Sequence, residues 1–380
     1  MTSRTSPRDR ALDGLRGVAA LSVFGFHAWL YTLPVVSASA RSSVTDFALH
    51  ELRLGLVLFF VLSGFLLWQP WVRAATGSGE PPRPGAFLLR RAARIIPAYY
   101  AALVGSVLLL WGLAGTPGVR LPDGELLALF GVFAQNFSPG TVMKLDPPMW
   151  TIAIEASFYV VLPLLGWLAL RRRRGVITVP VLFAVVGVAW NAITMSHGLG
   201  MTWTKTLPAM APYFAAGMLA AALWHRPVGS LSARLLVGLG LALVFIDAGA
   251  QSAAAAGGPV LLPAALRDLP AAAGCALLIA GVARAGFHGG FARVLASRPV
   301  AATGTVSYGL YLWHVPVLLW LRGLELLPLN TIGAAAVALP VSLALAAASW
   351  RLLEQPAIRR ARKPFIPRSR RLATVIADIH

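Results

Sequence analysis

The sequence predicts an all-α fold: a polytopic membrane helix bundle of about ten transmembrane helices plus one short re-entrant or interfacial helix. Three observations carry this expectation. Hydrophobic residues make up 57% of the 380 positions and charged residues only 12%, about half the charged share of an ordinary soluble domain. Mean hydropathy is +0.71. Apolar runs close to the ~20 residues that a bilayer requires recur along the chain, so lipid is the solvent for most of it. The chain is therefore expected to be a multi-pass protein of a bacterial plasma membrane.

Lys and Arg number 33 against 14 Asp and Glu, a formal charge of +19. In a soluble protein that excess would raise nucleic acid as a partner. Here the arginines stand in short clusters between apolar runs, Arg171 to Arg174 being one. Such clusters orient membrane spans and attract anionic lipid. No basic stripe carries interleaved aromatics on a polar face, so no nucleic-acid partner is expected. Cys275 is the only cysteine, which excludes disulfides and cysteine-cluster metal sites and reads as a small core residue. No metal is expected.

Taken in order, the first ten residues are polar, with no cleavable apolar region ahead of the first span. Candidate spans lie at about 12–33, 54–71, 95–115, 149–170 and 176–196. Five more lie at about 207–224, 232–250, 269–286, 299–321 and 332–353. A shorter run, Glu125 to Phe137, contains Gln135 and Asn136. The positive-inside rule decides whether it crosses. With Arg4, Arg8 and Arg10 inside, Arg171 to Arg174 land inside only if that run dips in from the outer face. The same reading places Arg226, Arg293, Arg298 and the tail from Arg351 to Arg371 inside. The expected organisation is a cytoplasmic tail at 1–11, one transmembrane domain at 12–353 and a basic cytoplasmic tail at 354–380, with an outer segment at about 116–148.

Ionisable groups inside spans are costly and point to function. The first span carries Asp13, Arg16 and His27. Eleven helical steps make three turns plus about 20°, so Arg16 and His27 share a face roughly 16 Å apart. Gly14, Gly17 and Ala20 let a neighbouring helix approach closely. Arg90, Arg91 and Arg94 open the third span, where three guanidinium groups can converge on a polyphosphate. His27, Glu155 and His314 each fall about six or seven residues below the outer surface, roughly 9–10 Å deep. One buried polar site is the expected reason. Ser63 lies mid-membrane, and Ser307 opens the stretch that ends at His314. His50, His197, His225, His288 and His380 fall in loops, at span ends or in the tail and read as surface residues.

Together, Leu12–His27, Phe59–Phe65, Arg90–Arg94, Trp150–Tyr159 with Pro163, and Ser307–His314 resemble acyltransferase family 3, the integral-membrane acyltransferases of sugars and small metabolites. The resemblance implies that Arg16 and His27 are functionally required, with Arg90, Arg91 and Arg94 near the acyl donor. One departure stands out. Many relatives carry a second acidic residue after the one matching Glu155, and here Ala156 and Ser157 follow. A carboxy-terminal esterase-like extracytoplasmic domain, which some relatives have, is not expected, because the chain ends in a short basic tail.

The expected chemistry is transfer from acyl-CoA, a co-substrate and not a tightly bound cofactor, to a hydroxyl of a glycan, a lipid-linked sugar or a macrolide-like metabolite. His27 would take the hydroxyl proton, with Glu155 or His314 orienting its imidazole. Direct transfer and a covalent acyl-histidine both stay open. Asp13, Ser63 and Ser307 are expected to support the site. A transporter or flippase for an acylated or sugar-linked substrate is the alternative from another class.

Overall fold

The computed structural model describes residues 7–34, 36, 43–224, 232–285 and 290–362. Expectations for Arg4, Arg226, His225, His288, His380 and the tail beyond residue 362 lie outside the described residues, as does the Arg8 side chain. The described residues are helical throughout, with no strand among them.

Helix α1 (Pro7–Leu30) starts on a proline, whose missing N–H costs nothing in a first turn. It ends at Leu30, three residues earlier than the apolar pattern implied, as the chain approaches Pro34. The Arg322 guanidinium donates to the Tyr31 and Leu33 carbonyls and holds this end. After α2 (Val44–Glu51), the central helix α3 (Gly55–Ala75) buries most of its residues. Helix α4 (Pro84–Leu110) has proline at its N-terminus, so it begins well before residue 95. Arg90, Arg91 and Arg94 therefore lie inside the helix and do not open it.

The run from Glu125 makes only a 3-10 turn (Gly124–Leu126), α5 (Leu127–Gly131) and a second 3-10 turn (Gln135–Phe137). Five helical residues rise about 7.5 Å, far short of a hydrocarbon core of about 30 Å. It does not cross. Gln135 and Asn136 are 1% and 2% exposed and donate to the Met149 and Trp150 carbonyls at 2.9 and 2.8 Å. They pin this segment against the start of α6 (Met149–Leu170).

Helices α7 (Gly175–Ser196), α8 (Met201–Thr204), α9 (Leu207–Trp224), α10 (Ala233–Ala255) and α11 (Leu269–Ala285) follow. Leu182, Val185 and Val186 of α7 and Phe245 and Ile246 of α10 are exposed, as lipid-facing side chains are. The expected span at 299–321 is two helices. After α12 (Gly290–Leu295) come α13 (Arg298–Thr305) and α14 (Ser307–Gly323), separated at Val306. The Ser307 hydroxyl donates to the Gly304 carbonyl at 2.8 Å across that break. Helix α15 (Thr331–Ser349) runs through a π-helical turn (Trp350–Glu354) into α16 (Gln355–Arg362).

Among the described residues, eight helical stretches are long and apolar enough to cross a membrane. The two other expected spans are α1, whose 24 residues include Asp9, Arg10, Asp13 and Arg16, and α14, at 17 residues. Both pack inside the bundle, α1 on α3, α13 and α14, and α14 on α4 and α15. The protein is a multi-pass, all-helical membrane protein. Close approach of α1 to α13 depends on two glycines. A Cβ on Gly17 would sit 2.8 Å from the Val300 carbonyl oxygen, and one on Gly304 would collide with the Asp13 carbonyl. That contact fixes the height of α1 against α13 and so of Arg16 and His27 against α14.

Candidate active site

A pocket of about 830 Å³, its open mouth included, runs between α1, α3, α4, α6 and α14. Arg16 comes from α1, Ser63 from α3, Arg91 and Arg94 from α4, Glu155 and Tyr159 from α6, and Tyr308 and Tyr311 from α14. Helical spacing explains the α4 pair, since residues three apart share a face. The third arginine does not join them: Arg90 is exposed and lies off the lining.

Arg16 bonds Asp13 at 2.7 Å. Arg91 and Arg94 have no carboxylate within ion-pair reach among the described residues. The Arg91 guanidinium lies over Phe87 and Tyr159, 5.6 and 5.7 Å from their ring centres, and its Nε is buried without a hydrogen-bond partner. Arg91 and Arg94 are thus free to hold an anionic ligand. The pocket's one carboxylate, Glu155, accepts from the Tyr159 hydroxyl at 2.5 Å and from Ser63 Oγ at 3.3 Å.

Beside Tyr311, two histidines meet. His314 Nε2 lies 3.1 Å from His27 Nδ1. Each Nδ1 also faces a carbonyl one turn back: Val23 at 3.0 Å for His27 and Leu310 at 3.1 Å for His314. A carbonyl can only accept, so His314 Nδ1 carries the proton and, in the neutral ring, its Nε2 accepts. His27 Nδ1 faces two acceptors and must carry a proton as well. That assignment leaves His27 Nε2 with a free lone pair and no partner among the described residues. A bare Nε2 on an oriented imidazole is what a general base requires. Tyr31 stacks on His27 with ring centres 6.0 Å apart, and the Tyr311 ring lies 5.7 Å from His314. The Tyr311 hydroxyl is fixed by Thr151 Oγ1 at 2.9 Å. Tyr311 lines the pocket and touches the histidine pair, so it joins the two regions.

The expected single layer thus divides. His27 and His314 are hydrogen-bonded, whereas Glu155 bonds Ser63 and Tyr159 and neither histidine. Ser307 lines the pocket at the helix break, with its hydroxyl spent on Gly304. His50 corrects the sequence reading: it is 5% exposed, not a surface residue, and its Nδ1 lies 2.7 Å from Glu51 Oε1. The cause is a polar network that draws the ring inward. Arg53 bonds Glu51 at 2.9 Å and Asp268 at 2.8 Å. His197 is exposed and Cys275 buried, both as expected.

Sequence reasoning missed Arg322, which holds the end of α1, and Asp146, which is 1% exposed in the segment before α6. Burial raises the Asp146 carboxyl well above the usual carboxylate range. A signal for Asp146 was present: an acid four residues before Trp150, next to two prolines.

A family model for an acyltransferase domain matches residues 9–351. Nodulation protein 10 of Rhizobium leguminosarum bv. viciae is 26% identical over 375 residues, covering 91% of this chain and 92% of that protein. The exopolysaccharide production protein ExoZ of Rhizobium meliloti (strain 1021) is 28% identical over 320 residues, 81% of this chain and 90% of its own. Acyltransferase MdmB of Streptomyces mycarofaciens is 28% identical over 334 residues, 81% and 78% of the two chains. No solved structure matches significantly.

Proposed function

The chain belongs to the acyltransferase-domain family, and from that premise we propose that it moves an acyl group from cytosolic acyl-CoA to a hydroxyl of a sugar, envelope glycan or secondary metabolite. Family membership makes it an acyltransferase and leaves the transporter reading without an observation in its favour. The observation that carries the finer proposal is the pocket itself: Arg16, Arg91 and Arg94 line one cavity that ends at Tyr311, beside the histidine pair.

Arg91 and Arg94 hold phosphate groups of the donor, where a guanidinium fork matches phosphate oxygens. The donor's long arm then runs past Ser63 and Glu155, whose carboxylate accepts from its amide N–H groups. At the outer end His27 Nε2 removes the acceptor's hydroxyl proton. The oxygen forms a C–O bond to the thioester carbonyl carbon, the C–S bond breaks, and the leaving thiolate takes the proton back from His27. His314 positions the base by accepting from His27 Nδ1–H. The orientation follows the arginine asymmetry, with both termini cytoplasmic and 116–148 outside. Transmembrane residues 12–353 form one catalytic domain between two tails. The relative named for exopolysaccharide production supports a glycan acceptor.

The test uses purified protein in lipid nanodiscs with [¹⁴C]acetyl-CoA. Saturable binding, competed by free coenzyme A and weakened in Arg91→Ala, is the expected result. No binding of coenzyme A at millimolar concentration would overturn the donor assignment.

A further inference from the structure

The outer segment carries buried oxygens that accept nothing. Both carboxyl oxygens of Asp146, Oε1 of Gln135 and Oδ1 of Asn136 lack hydrogen-bond partners among the described residues. Their residues are 1%, 1% and 2% exposed. All three sit against the first turn of α6. Gln135 Nε2 donates to the Met149 carbonyl at 2.9 Å, Asn136 Nδ2 donates to the Trp150 carbonyl at 2.8 Å, and the Asp146 carbonyl accepts from Met149 N–H at 3.0 Å. With both amide nitrogens so engaged, the orphaned amide atoms are acceptors, and the Asp146 carboxyl, its ionised form disfavoured by burial, adds one oxygen that accepts and one that can donate. Burying polar groups unpaired is costly, and a site that keeps several together is built for a ligand that brings donors.

The same segment reaches the rings beside the histidine pair. The Tyr311 hydroxyl lies 3.5 Å from the Pro148 carbonyl oxygen, and Tyr31 and Tyr311 flank His27 and His314 at 6.0 and 5.7 Å. Just before Asp146, Leu145 has φ 60°, a left-handed conformation that a branched side chain adopts at a cost. Its N–H is held by the Arg120 carbonyl at 2.6 Å.

We propose that Asp146, with Gln135 and Asn136, binds the acceptor: their orphaned oxygens take hydrogen bonds from the hydroxyls of a polyhydroxylated substrate and hold one hydroxyl at His27 Nε2. This rests on the acyltransfer reading above and adds the acceptor's recognition group. Asp146 is then a substrate-binding residue, and its cost to the fold is the reverse of its value to the reaction. Removing a structural carboxylate lowers stability, whereas removing an unpaired one raises it.

Two variants and two measurements test this. Membranes of a strain lacking the chain supply the acceptor at graded amounts, [¹⁴C]acetyl-CoA is the donor, and purified Asp146→Asn and Asp146→Leu are compared with the native protein. The expected result is at least a tenfold rise in the amount of membrane needed for half-maximal label incorporation. The dependence on acetyl-CoA concentration stays unchanged. Both variants melt at or above the native temperature in detergent. Unchanged half-saturation, or lower melting in both variants, overturns the proposal. Absence of incorporation by the native protein instead overturns the acyltransfer reading and is told apart by that control.

Discussion

Replacing His314 by leucine removes the acceptor for His27 Nδ1–H and keeps a similar volume in a site that is 1% exposed. The Val23 carbonyl still faces Nδ1 at 3.0 Å, so the His27 tautomer persists. What is lost is the strengthening of one hydrogen bond as His27 becomes an imidazolium. A neutral hydrogen bond contributes about 1 kcal/mol net and one to a charged group about 1.5–3 kcal/mol. The differential is therefore about 0.5–2 kcal/mol, a drop in kcat of about 2- to 30-fold. Because His314 is off the pocket lining, KM for acetyl-CoA stays constant. The assay is release of free CoA thiol, followed with a chromogenic disulfide at saturating donor. A loss as large as that of His27→Ala would make His314 the base. No loss at all would make the 3.1 Å contact incidental.

The pocket arginines divide by position. Arg91→Ala and Arg94→Ala should each raise KM for acetyl-CoA more than they lower kcat, since anchoring phosphate is largely uniform binding, while exposed Arg90→Ala leaves both nearly unchanged. Steady-state kinetics check this, and equal effects at all three positions would reduce the cluster to an orientation signal. Gly304→Leu should destabilise the bundle by about 1–3 kcal/mol through overpacking, seen as a lower melting temperature in detergent. A native-like melt would show that α1 and α13 can part without cost. On a Cys275→Ala background, Pro139→Cys should label from the outer side and Arg172→Cys from the inner side. The reverse pattern would invert the orientation of the donor pocket.

Composition made the membrane bundle legible because apolar residues at 57% leave no other solvent. Span edges were less so. Hydropathy cannot see that Pro84 starts α4 inside a polar stretch, or that Val306 divides the run expected at 299–321 into two helices. The histidine pair was foreshadowed by depth, since the expected span directions put His27 and His314 near one level. Depth says nothing about azimuth, however, and Glu155 at a similar level faces Ser63 and Tyr159. Arg90 fell out of its cluster for the same angular reason. His50 was misread because its partners, Glu51, Arg53 and through it Asp268, converge only in the fold. Asp146 stayed hidden because an acid in an outer segment is ordinary in sequence, and only its burial and empty valences distinguish it.

The account turns on His27 Nε2 as the atom that takes the acceptor's proton. Glutamine at position 27 keeps volume and hydrogen-bonding capacity but cannot hold that proton. Label transfer from [¹⁴C]acetyl-CoA by His27→Gln in nanodiscs should fall by about 10²- to 10⁴-fold, with coenzyme A affinity and melting temperature unchanged. Transfer within a few fold of the native rate would contradict the account and return His27 to a structural role.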